Sequence, residues 1–473
     1  MDTNLRPSAP RFACRALPPE RFLIPKVRLF DPVNGIDTET DLLVEDGKIA
    51  KIGPSRKAAA GVEVLDLAGC WVFPGLVDPH AHLRTPGYEY KEDIASGSRA
   101  AAAGGYVAVV AMANTDPVVD CGPVAGWILD QAGREAAVRV GQVGAVSKGL
   151  AGEEMSEMFE LAAAGVAAFS DDGKPVSDAA LLLSALRYAR GTGRPLLLHL
   201  EDKSLSQDGV MHEGKWSART GLRGIPATAE TAPLARDLEL VRYSHAEQRR
   251  VEAGLVGADS VSVHVASGVP LVHFQHLSTA GSVELMRRAK LEGLPVTAEA
   301  TPLHLLLTDE RLTAFDPNCK VNPPIRSEDD REALIAALAE GVIDCIGTDH
   351  APHTPHEKEV PLEQAAFGSI GLETAFAALY GGLVKPGRIS LERLIEAMSA
   401  APCRILGIPA PRLVEGESAD FFVADLDEMW EVTPAALQGK SRNSAFMGET
   451  LTGRVRLTVV DGARRFARAR KEA

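Results

Sequence analysis

Through the middle of the chain, short runs of apolar residues alternate with longer segments rich in Ala, Leu, Glu and Arg. Such runs are typical of buried strands, whereas a segment such as "DAALLLSALRYARGTG" (178–193) is typical of a helix. The predicted strands are Trp71–Val77, Tyr106–Met112, Ala137–Val143, Gly165–Phe169, Pro195–Leu198, Leu271–Gln275, Pro295–Ala298 and Ile343–Gly347. Eight buried strands alternating with helices predict an α/β fold, a (β/α)8 TIM-like barrel over residues 71–407. An open doubly wound sheet is the alternative, disfavoured because no Gly-x-Gly-x-x-Gly loop follows the first run.

The two ends of the chain show a different pattern, in which short strand-like runs are separated by turn signals. Asp46-Gly47 and Asp461-Gly462 are typical hairpin turns. Residues 21–70 and 408–473 are therefore predicted to form one small β domain built from both chain ends. Residues 1–20 are rich in proline and charge, and we expect a flexible tail there. Residues 230–271 mix helical and strand-like signals, which suggests an enlarged loop or an excursion over the barrel mouth.

The overall composition narrows the class of partner. The chain has 473 residues, is 45% hydrophobic and 24% charged, and carries a formal net charge of −14. This acidic balance argues against nucleic acid or an anionic membrane as the main partner, and an anionic substrate would need a local cationic clamp. The six cysteines lie far apart, and no apolar stretch approaches the ~20 residues of a membrane span, so we expect a cytoplasmic protein.

Polar residues follow the predicted strands at the points where each strand ends. They are His80 and His82 after the first run, Asn114 after the second, Asp171 and Asp172 after the fourth, His199 after the fifth, His276 after the sixth, and Asp349, His350 and His353 after the eighth. A lone histidine or an isolated "DDG" is more often structural, but in a barrel all these ends meet at one mouth. Imidazoles and carboxylates together form a site of nitrogen and oxygen ligands for a hard-to-borderline metal ion, manganese and cobalt among them, so the pattern predicts a metal-dependent hydrolase.

Several segments together resemble the dihydroorotases of the amidohydrolase superfamily. They are "PGLVDPHAHLRTPGYEYKEDIASGSRAAAAGGY", "AMANTDP", "FSDDG", "LLLHLED", "FQHLST", "KVNPPIR", "DCIGTDHAPH" and "AFGSIGLET". The resemblance is to the long-chain bacterial type, in which an aspartate replaces the usual carboxylated lysine, and it spans about residues 21–465. It implies a barrel with a small β domain from both chain ends, as the pattern above also predicts.

The resemblance implies two Zn²⁺ ions per chain. His80, His82 and Asp349 would hold the first ion, His199 and His276 the second, and an aspartate would bridge them. The family motif favours Asp172 as the bridge, with Asp171 as its competitor.

The resemblance also implies the substrate and the reaction. Arg84 would clamp a carboxylate with help from His82, Asn114 and His353, while the ring would be held by Asn322 and the backbone of Phe367 and Gly368. The reaction would be the reversible cyclisation of N-carbamoyl-L-aspartate to L-dihydroorotate plus water in de novo pyrimidine (UMP) biosynthesis. A metal-activated hydroxide would act with Asp349 as acid and base.

Two alternatives stay open at the level of sequence. The first is a cyclic-amide hydrolase of the dihydropyrimidinase or allantoinase type, although "GVAAFSDDG" has no lysine before its aspartates. The second is an inactive dihydroorotase-like subunit that supports aspartate carbamoyltransferase. That transferase is also a candidate partner of an active enzyme, and we expect a homo-oligomer.

Overall fold

The computed structural model describes residues 8–54, 62–253 and 269–468. The chain opens with five strands of one sheet: β1 (Phe22–Asp31), β2 (Ile36–Glu45), β3 (Lys48–Ile52), β4 (Glu63–Val64) and β5 (Trp71–Pro74). β1 and β2 pair antiparallel, as do β2 and β3. The turn between β2 and β3 is Asp46-Gly47, where both residues have positive φ, as a two-residue hairpin turn requires.

A parallel barrel occupies the middle of the described chain. Its strands are β6 (Leu76–Ala81), β7 (Tyr106–Ala111), β8 (Arg139–Gly144), β9 (Ala168–Phe169), β10 (Leu196–Leu198), β13 (Val272–Phe274), β14 (Val296–Ala300) and β15 (Cys345–Ile346). Each pairs with the next in this order, and a parallel bridge from Ala81 to His350 brings the last strand's end to the first. The short strands β11 (Met211–His212) and β12 (Gly224–Ile225) pair separately. The predicted α/β barrel is therefore confirmed.

Helices form the outer layer and fill the loops. They are α1 (Ile94–Ala103), α2 (Gly122–Glu135), α3 (Met158–Ala164), α4 (Ala179–Thr192), α5 (Lys203–Ser206), α6 (Lys215–Thr220), α7 (Thr228–Glu252), α8 (Ala280–Leu291), α9 (Pro302–Leu306), α10 (Glu328–Glu340), α11 (Pro355–Lys358), α12 (Ala375–Leu379), α13 (Leu391–Met398) and α14 (Ala400–Leu406). The 25-residue α7 packs between α4 and α8. Its residues therefore belong to the helical layer and form no excursion over the mouth. Residues 254–268 of the ambiguous segment lie outside the described ranges.

The C-terminal strands complete the first sheet. β16 (Phe421–Glu431), β17 (Thr450–Val460) and β18 (Ala463–Ala467) give the order β18-β17-β16-β5-β1-β2-β3, with β4 beside β1. The sheet thus combines both chain ends, as predicted. Within residues 8–54, 62–253 and 269–468, no helix is both long enough and apolar enough to cross a bilayer.

The first predicted strand, 71–77, is divided between the two sheets. β5 pairs with β1 and β16, and its Phe73 packs against Phe376 and Phe422, whereas the barrel begins with β6. At Gly75 the chain passes so close to the barrel that a Cβ atom would lie 2.2 Å from a methyl carbon of Val107. The apolar run continues across this point because both sides are buried, so hydrophobicity alone does not mark the division. The proposed domain limits of 21–70 with 408–473, and of 71–407, stay predictions.

Residues 8–20 differ from the flexible tail that we expected, because part of this segment is packed against the barrel. The backbone of Ala13 pairs with Val140 through hydrogen bonds of 2.8 and 3.0 Å, and the Arg11 amide donates to the Gly165 carbonyl at 2.9 Å. The ring of Phe12 lies over Gly141, where a Cβ atom would come within 2.7 Å of it. These contacts lie near the amino-terminal ends of β8 and β9, which is the end of the barrel opposite the mouth.

Candidate active site

A cavity of about 290 Å³ opens at the carboxyl-terminal ends of the barrel strands. It is lined by His82, Arg84, Asn114, Asp172, Gly173, His199, Lys203, His276, Asn322, Asp349, Ala351, His353, Phe367 and Gly368. Every residue predicted to bind metal or substrate is in this lining except His80, which is fully buried beside it. The structure therefore brings the whole predicted set together, as convergence of the strand ends requires.

The geometry of the imidazoles and carboxylates fits metal ions. One carboxylate oxygen of Asp172 lies 3.6 Å from His80 Nε2, 3.6 Å from His199 Nδ1 and 3.7 Å from His276 Nε2. Two ligand atoms that each lie ~2.1 Å from a tetrahedral zinc ion are about 3.4 Å apart, so these separations suit ligands of a shared ion. Moreover, His80 Nε2 is buried and has no hydrogen-bond partner among the described residues.

Asp349 completes the cluster on the side of the first strand. Its Oδ1 lies 3.1 Å from His82 Nε2 and 3.5 Å from His80 Nε2. The second oxygen of Asp172 lies 3.4 Å from His82 Nε2. Burial alone would raise the pKa of Asp172, but His80 and His276 hold it well below its usual range. Asp172 is therefore a carboxylate that faces four histidines at once.

The side chain of Asp171 faces away from the histidines and accepts hydrogen bonds from a loop. One of its oxygens accepts hydrogen bonds from the backbone amides of Val146 at 2.7 Å and Ser147 at 3.1 Å, and the other accepts from the Ser147 hydroxyl. Burial raises the pKa of Asp171 to about 6. Both carboxylate oxygens of Asp171 accept hydrogen bonds from this loop. Asp172 is therefore the aspartate whose carboxylate faces the histidines.

Three of the histidines are held from behind by an oxygen acceptor. His80 Nδ1 lies 2.6 Å from a carboxylate oxygen of Glu299, and His82 Nδ1 lies 3.0 Å from the amide oxygen of Asn114. His199 Nε2 lies 3.2 Å from a carboxylate oxygen of Glu201. Each acceptor fixes the proton of the neutral ring on the nitrogen that faces it, so the neutral ring presents its other, unprotonated nitrogen to a metal.

Arg84 is a cationic residue in the lining of this cavity, as is Lys203. Its Nε donates to the Pro352 carbonyl at 3.2 Å, and its NH2 lies 3.4 Å from His353 Nε2. No carboxylate lies within 4.0 Å of the guanidinium among the residues that the structure describes. Burial and the Arg84 charge lower the pKa of His353 to about 3, so this imidazole is neutral. The half-buried guanidinium is thus available to an anionic ligand.

The loop that carries Phe367 and Gly368 is fixed by buried lysines. Lys358 Nζ donates to the carbonyls of Gly368 and Ala366 at 2.8 Å each, and the Gly368 amide donates to the Lys320 carbonyl at 2.9 Å. Gly368 has φ 134°, and a Cβ atom there would lie 2.7 Å from that of Ala351. Only glycine fits this position, where the backbone reaches the cavity.

Comparison with known proteins identifies the family. A protein-family model described as "Dihydro-orotase-like" matches residues 69–246. Dihydroorotase of Anaeromyxobacter dehalogenans (strain 2CP-C) is 45% identical over 437 residues, which cover 92% of this chain and 95% of that protein. Dihydroorotase of Citrifermentans bemidjiense is 43% identical over 440 residues, which cover 93% of this chain and 98% of that protein. The chain belongs to the dihydroorotase family.

Solved structures of cyclic amidohydrolases share the fold. L-hydantoinase (dihydropyrimidinase) from Arthrobacter aurescens superposes with a TM-score of 0.76 at 26% identity, over 94% of this chain and 95% of that one. A D-hydantoinase gives a TM-score of 0.77 at 23% identity over the same shares, which shows the fold alone. The relatives named dihydroorotase and the L-hydantoinase at 26% identity confirm the predicted enzyme class, a cyclic amidohydrolase.

Sequence reasoning missed the two glutamates behind the dihydroorotase-family histidines. Glu299 lies in β14, and its full burial beside apolar neighbours required a partner, since a buried charge is costly alone. Glu201 follows His199 by two residues, so the same alternation that pairs His80 with His82 could have placed it near the site. Burial would raise the pKa of both carboxyls, but the adjacent histidines hold it well below its usual range.

Replacing Glu299 by Gln is expected to weaken metal binding by the histidine cluster about 10–100-fold, the usual effect of removing a carboxylate behind a metal-binding histidine. One oxygen of Glu299 accepts from His80 Nδ1 and from the His276 amide (3.3 Å), and the other from His273 Nε2 at 3.1 Å. Glutamine replaces one of these acceptors with a donor. Competition with a chromogenic chelator measures the affinity. Glu292→Gln, on the exposed surface, is the control, and equal affinities in the two variants would contradict this role.

Proposed function

We propose that the protein catalyses the reversible cyclisation of N-carbamoyl-L-aspartate to L-dihydroorotate and water, a step of de novo pyrimidine biosynthesis. The observation that carries this proposal is the pairing, in one cavity, of the histidine–aspartate cluster with an arginine that lacks a carboxylate partner in the described chain. Relatives named dihydroorotase, at 43–45% identity over more than nine-tenths of the chain, support it. Dihydroorotate has one carboxylate, and Arg84 offers two parallel N–H donors to such a group.

Two zinc ions are proposed to occupy the cluster. His80, His82 and Asp349 would hold one ion and His199 and His276 the other, with Asp172 between them. The donor set of imidazole nitrogens and carboxylate oxygens at these separations suits zinc. When bound, such ions lower the pKa of water and polarise an amide carbonyl.

Asp349 is proposed to move the proton. In ring opening, the oxygen of water adds to the ring amide carbon and the bond from that carbon to the ring nitrogen breaks. An Asp349 carboxylate oxygen would accept a proton from the water and then deliver it to the departing nitrogen. His80 and His82 hold the pKa of Asp349 below its usual value against the effect of burial, so it begins as the base that this step needs. Ring closure follows the same steps in reverse.

The remaining residues are proposed to orient the substrate. Arg84, Asn114 and His353 would bind the carboxylate, with His82 beside them. Asn322 and the Phe367-Gly368 backbone would contact the ring. All of them line the same cavity.

A direct assay tests this function against its alternatives. The purified zinc-loaded protein is expected to turn over L-dihydroorotate but neither dihydrouracil nor allantoin, and removal of metal by a chelator is expected to abolish turnover until zinc is restored. Turnover of dihydrouracil or allantoin in preference would favour the dihydropyrimidinase or allantoinase type. Activity on none of the three, with or without added aspartate carbamoyltransferase, would support the inactive scaffold. Binding of that transferase, a homo-oligomeric state and a cytoplasmic location stay predictions.

A further inference from the structure

Glu201 contacts two residues of the cavity lining, His199 and Asn322. Its side chain follows β10 and is 8% exposed. One oxygen, Oε2, lies 3.2 Å from His199 Nε2 and accepts a hydrogen bond of 2.9 Å from the side-chain amide of Asn322. Lys203 donates to the same oxygen, and the Ser206 hydroxyl donates to Oε1. A single buried carboxylate oxygen is therefore shared by a histidine of the metal cluster and an asparagine of the substrate pocket.

The contact with Glu201 decides which ring nitrogen of His199 carries the proton. A carboxylate accepts hydrogen bonds and donates none, so Nε2 must carry the proton of the neutral ring. Nδ1 is then unprotonated, and it is the atom that lies 3.6 Å from Asp172 and 2.8 Å from His276 Nε2. Glu201 thus sets the tautomer in which His199 can bind a metal.

The contact with Asn322 decides how the amide group is turned. A flipped amide would place its oxygen 2.9 Å from the Glu201 oxygen, and two acceptors at that distance repel. The NH2 group must therefore face Glu201, and the amide oxygen is directed elsewhere. Asn322 lines the cavity, and a bound ring would offer its N–H groups to this oxygen.

We propose that Glu201 is a positioning residue that couples His199 in the metal cluster to Asn322 in the ring pocket. The proposal rests on the proposed function for its substrate, because an imide-like ring with N–H groups is the ligand that an oriented Asn322 oxygen recognises. Its metal side does not depend on the substrate. The prediction is that disturbance of one carboxylate changes zinc affinity and ring recognition together.

Glu201→Gln is the principal test. Glutamine keeps the shape of the side chain but can place its NH2 group against the donors of His199, Asn322 and Lys203. We expect zinc affinity, measured by chelator competition, to fall about 10–100-fold. At saturating zinc we expect KM for L-dihydroorotate to rise roughly tenfold or more, with a smaller change in kcat. Asp202→Asn is the matched control, since Asp202 is the adjacent carboxylate and its side chain instead caps α5. Wild-type zinc affinity and wild-type KM in Glu201→Gln would overturn the proposal.

A double-mutant cycle tests the coupling itself. Asn322→Ala is expected to raise KM in the wild type but to add little in the Glu201→Gln background, because Asn322 has already lost its orientation. Fully additive effects on KM would overturn the coupling.

Asn322→Asp changes the other partner of the Glu201–Asn322 contact. It therefore tests the proposal even if Glu201→Gln does not fold. It places a second carboxylate against Glu201, and we expect weaker zinc binding although Asn322 is not a predicted metal ligand. Unchanged zinc affinity in this variant would contradict the proposal. If the wild type bound zinc but left dihydroorotate unchanged, the proposed function would fail, whereas the zinc measurements on these variants would still test Glu201.

Discussion

Asp349→Asn is expected to lower kcat for L-dihydroorotate by about 10²–10⁴-fold, the contribution typical of a positioned acid–base group. Asparagine has nearly the same shape, and its amide oxygen can remain near His82 Nε2, which lies 3.1 Å from Asp349 Oδ1. It cannot, however, accept and return a proton at neutral pH. Steady-state turnover at matched zinc content separates this loss from a loss of metal.

The control for this variant is Asp344→Asn. Asp344 lies just before β15, at the opposite end of that strand from the site, and pairs there with Lys290. We expect it to retain kcat. A kcat within tenfold of the wild type in Asp349→Asn, at equal zinc occupancy, would rule out the assigned proton transfer.

Arg84→Met is expected to lower kcat/KM for L-dihydroorotate by roughly 10–150-fold, which corresponds to the ~1.5–3 kcal/mol of a hydrogen bond to a charged group. Any slow turnover of dihydrouracil, which lacks the carboxylate, is expected to change little. Arg84→Lys retains the charge but loses the paired donors, so we expect an intermediate loss. Arg84 has φ 62°, a backbone conformation that is strained for any residue except glycine. The wild type, Arg84→Met and Arg84→Lys share this strain, so it does not affect the comparison.

Arg99→Met controls for the general loss of a positive charge, since Arg99 lies on the exposed surface of α1. The comparison of the two substrates is decisive for Arg84. If kcat/KM fell equally for dihydroorotate and dihydrouracil, the guanidinium would be supporting the fold of the site and not selecting a carboxylate.

The barrel could be predicted because each strand is a separate apolar run, and its strand order follows from the alternation with helices. Two features of the fold could not be predicted from the sequence. The division at Gly75 lies inside one continuous buried run, and the contact of Phe12 with Gly141 joins segments that carry no mutual pattern in the sequence. Both depend on packing between distant parts of the chain.

The sequence predicted those residues of the candidate site that directly follow the carboxyl end of a strand. His80, His199 and Asp349 all follow apolar runs, and a barrel brings such ends together. The choice between Asp171 and Asp172 depended on side-chain direction after a two-residue strand, which the sequence does not specify. Glu299 contacts a residue 219 positions away, so only the assembled barrel reveals its role.

The sheet built from both chain ends has a consequence for the order of events during synthesis. β5 lies between β1 and β16, so one of its edges stays unpaired until residues 421–431 have left the ribosome. All eight barrel strands precede that point in the described chain. The barrel strands can therefore assemble before residues 421–431 emerge, whereas the sheet that β16 joins closes only afterwards. Until then the nascent chain carries an open strand edge, and such an edge can associate with the edge of another chain.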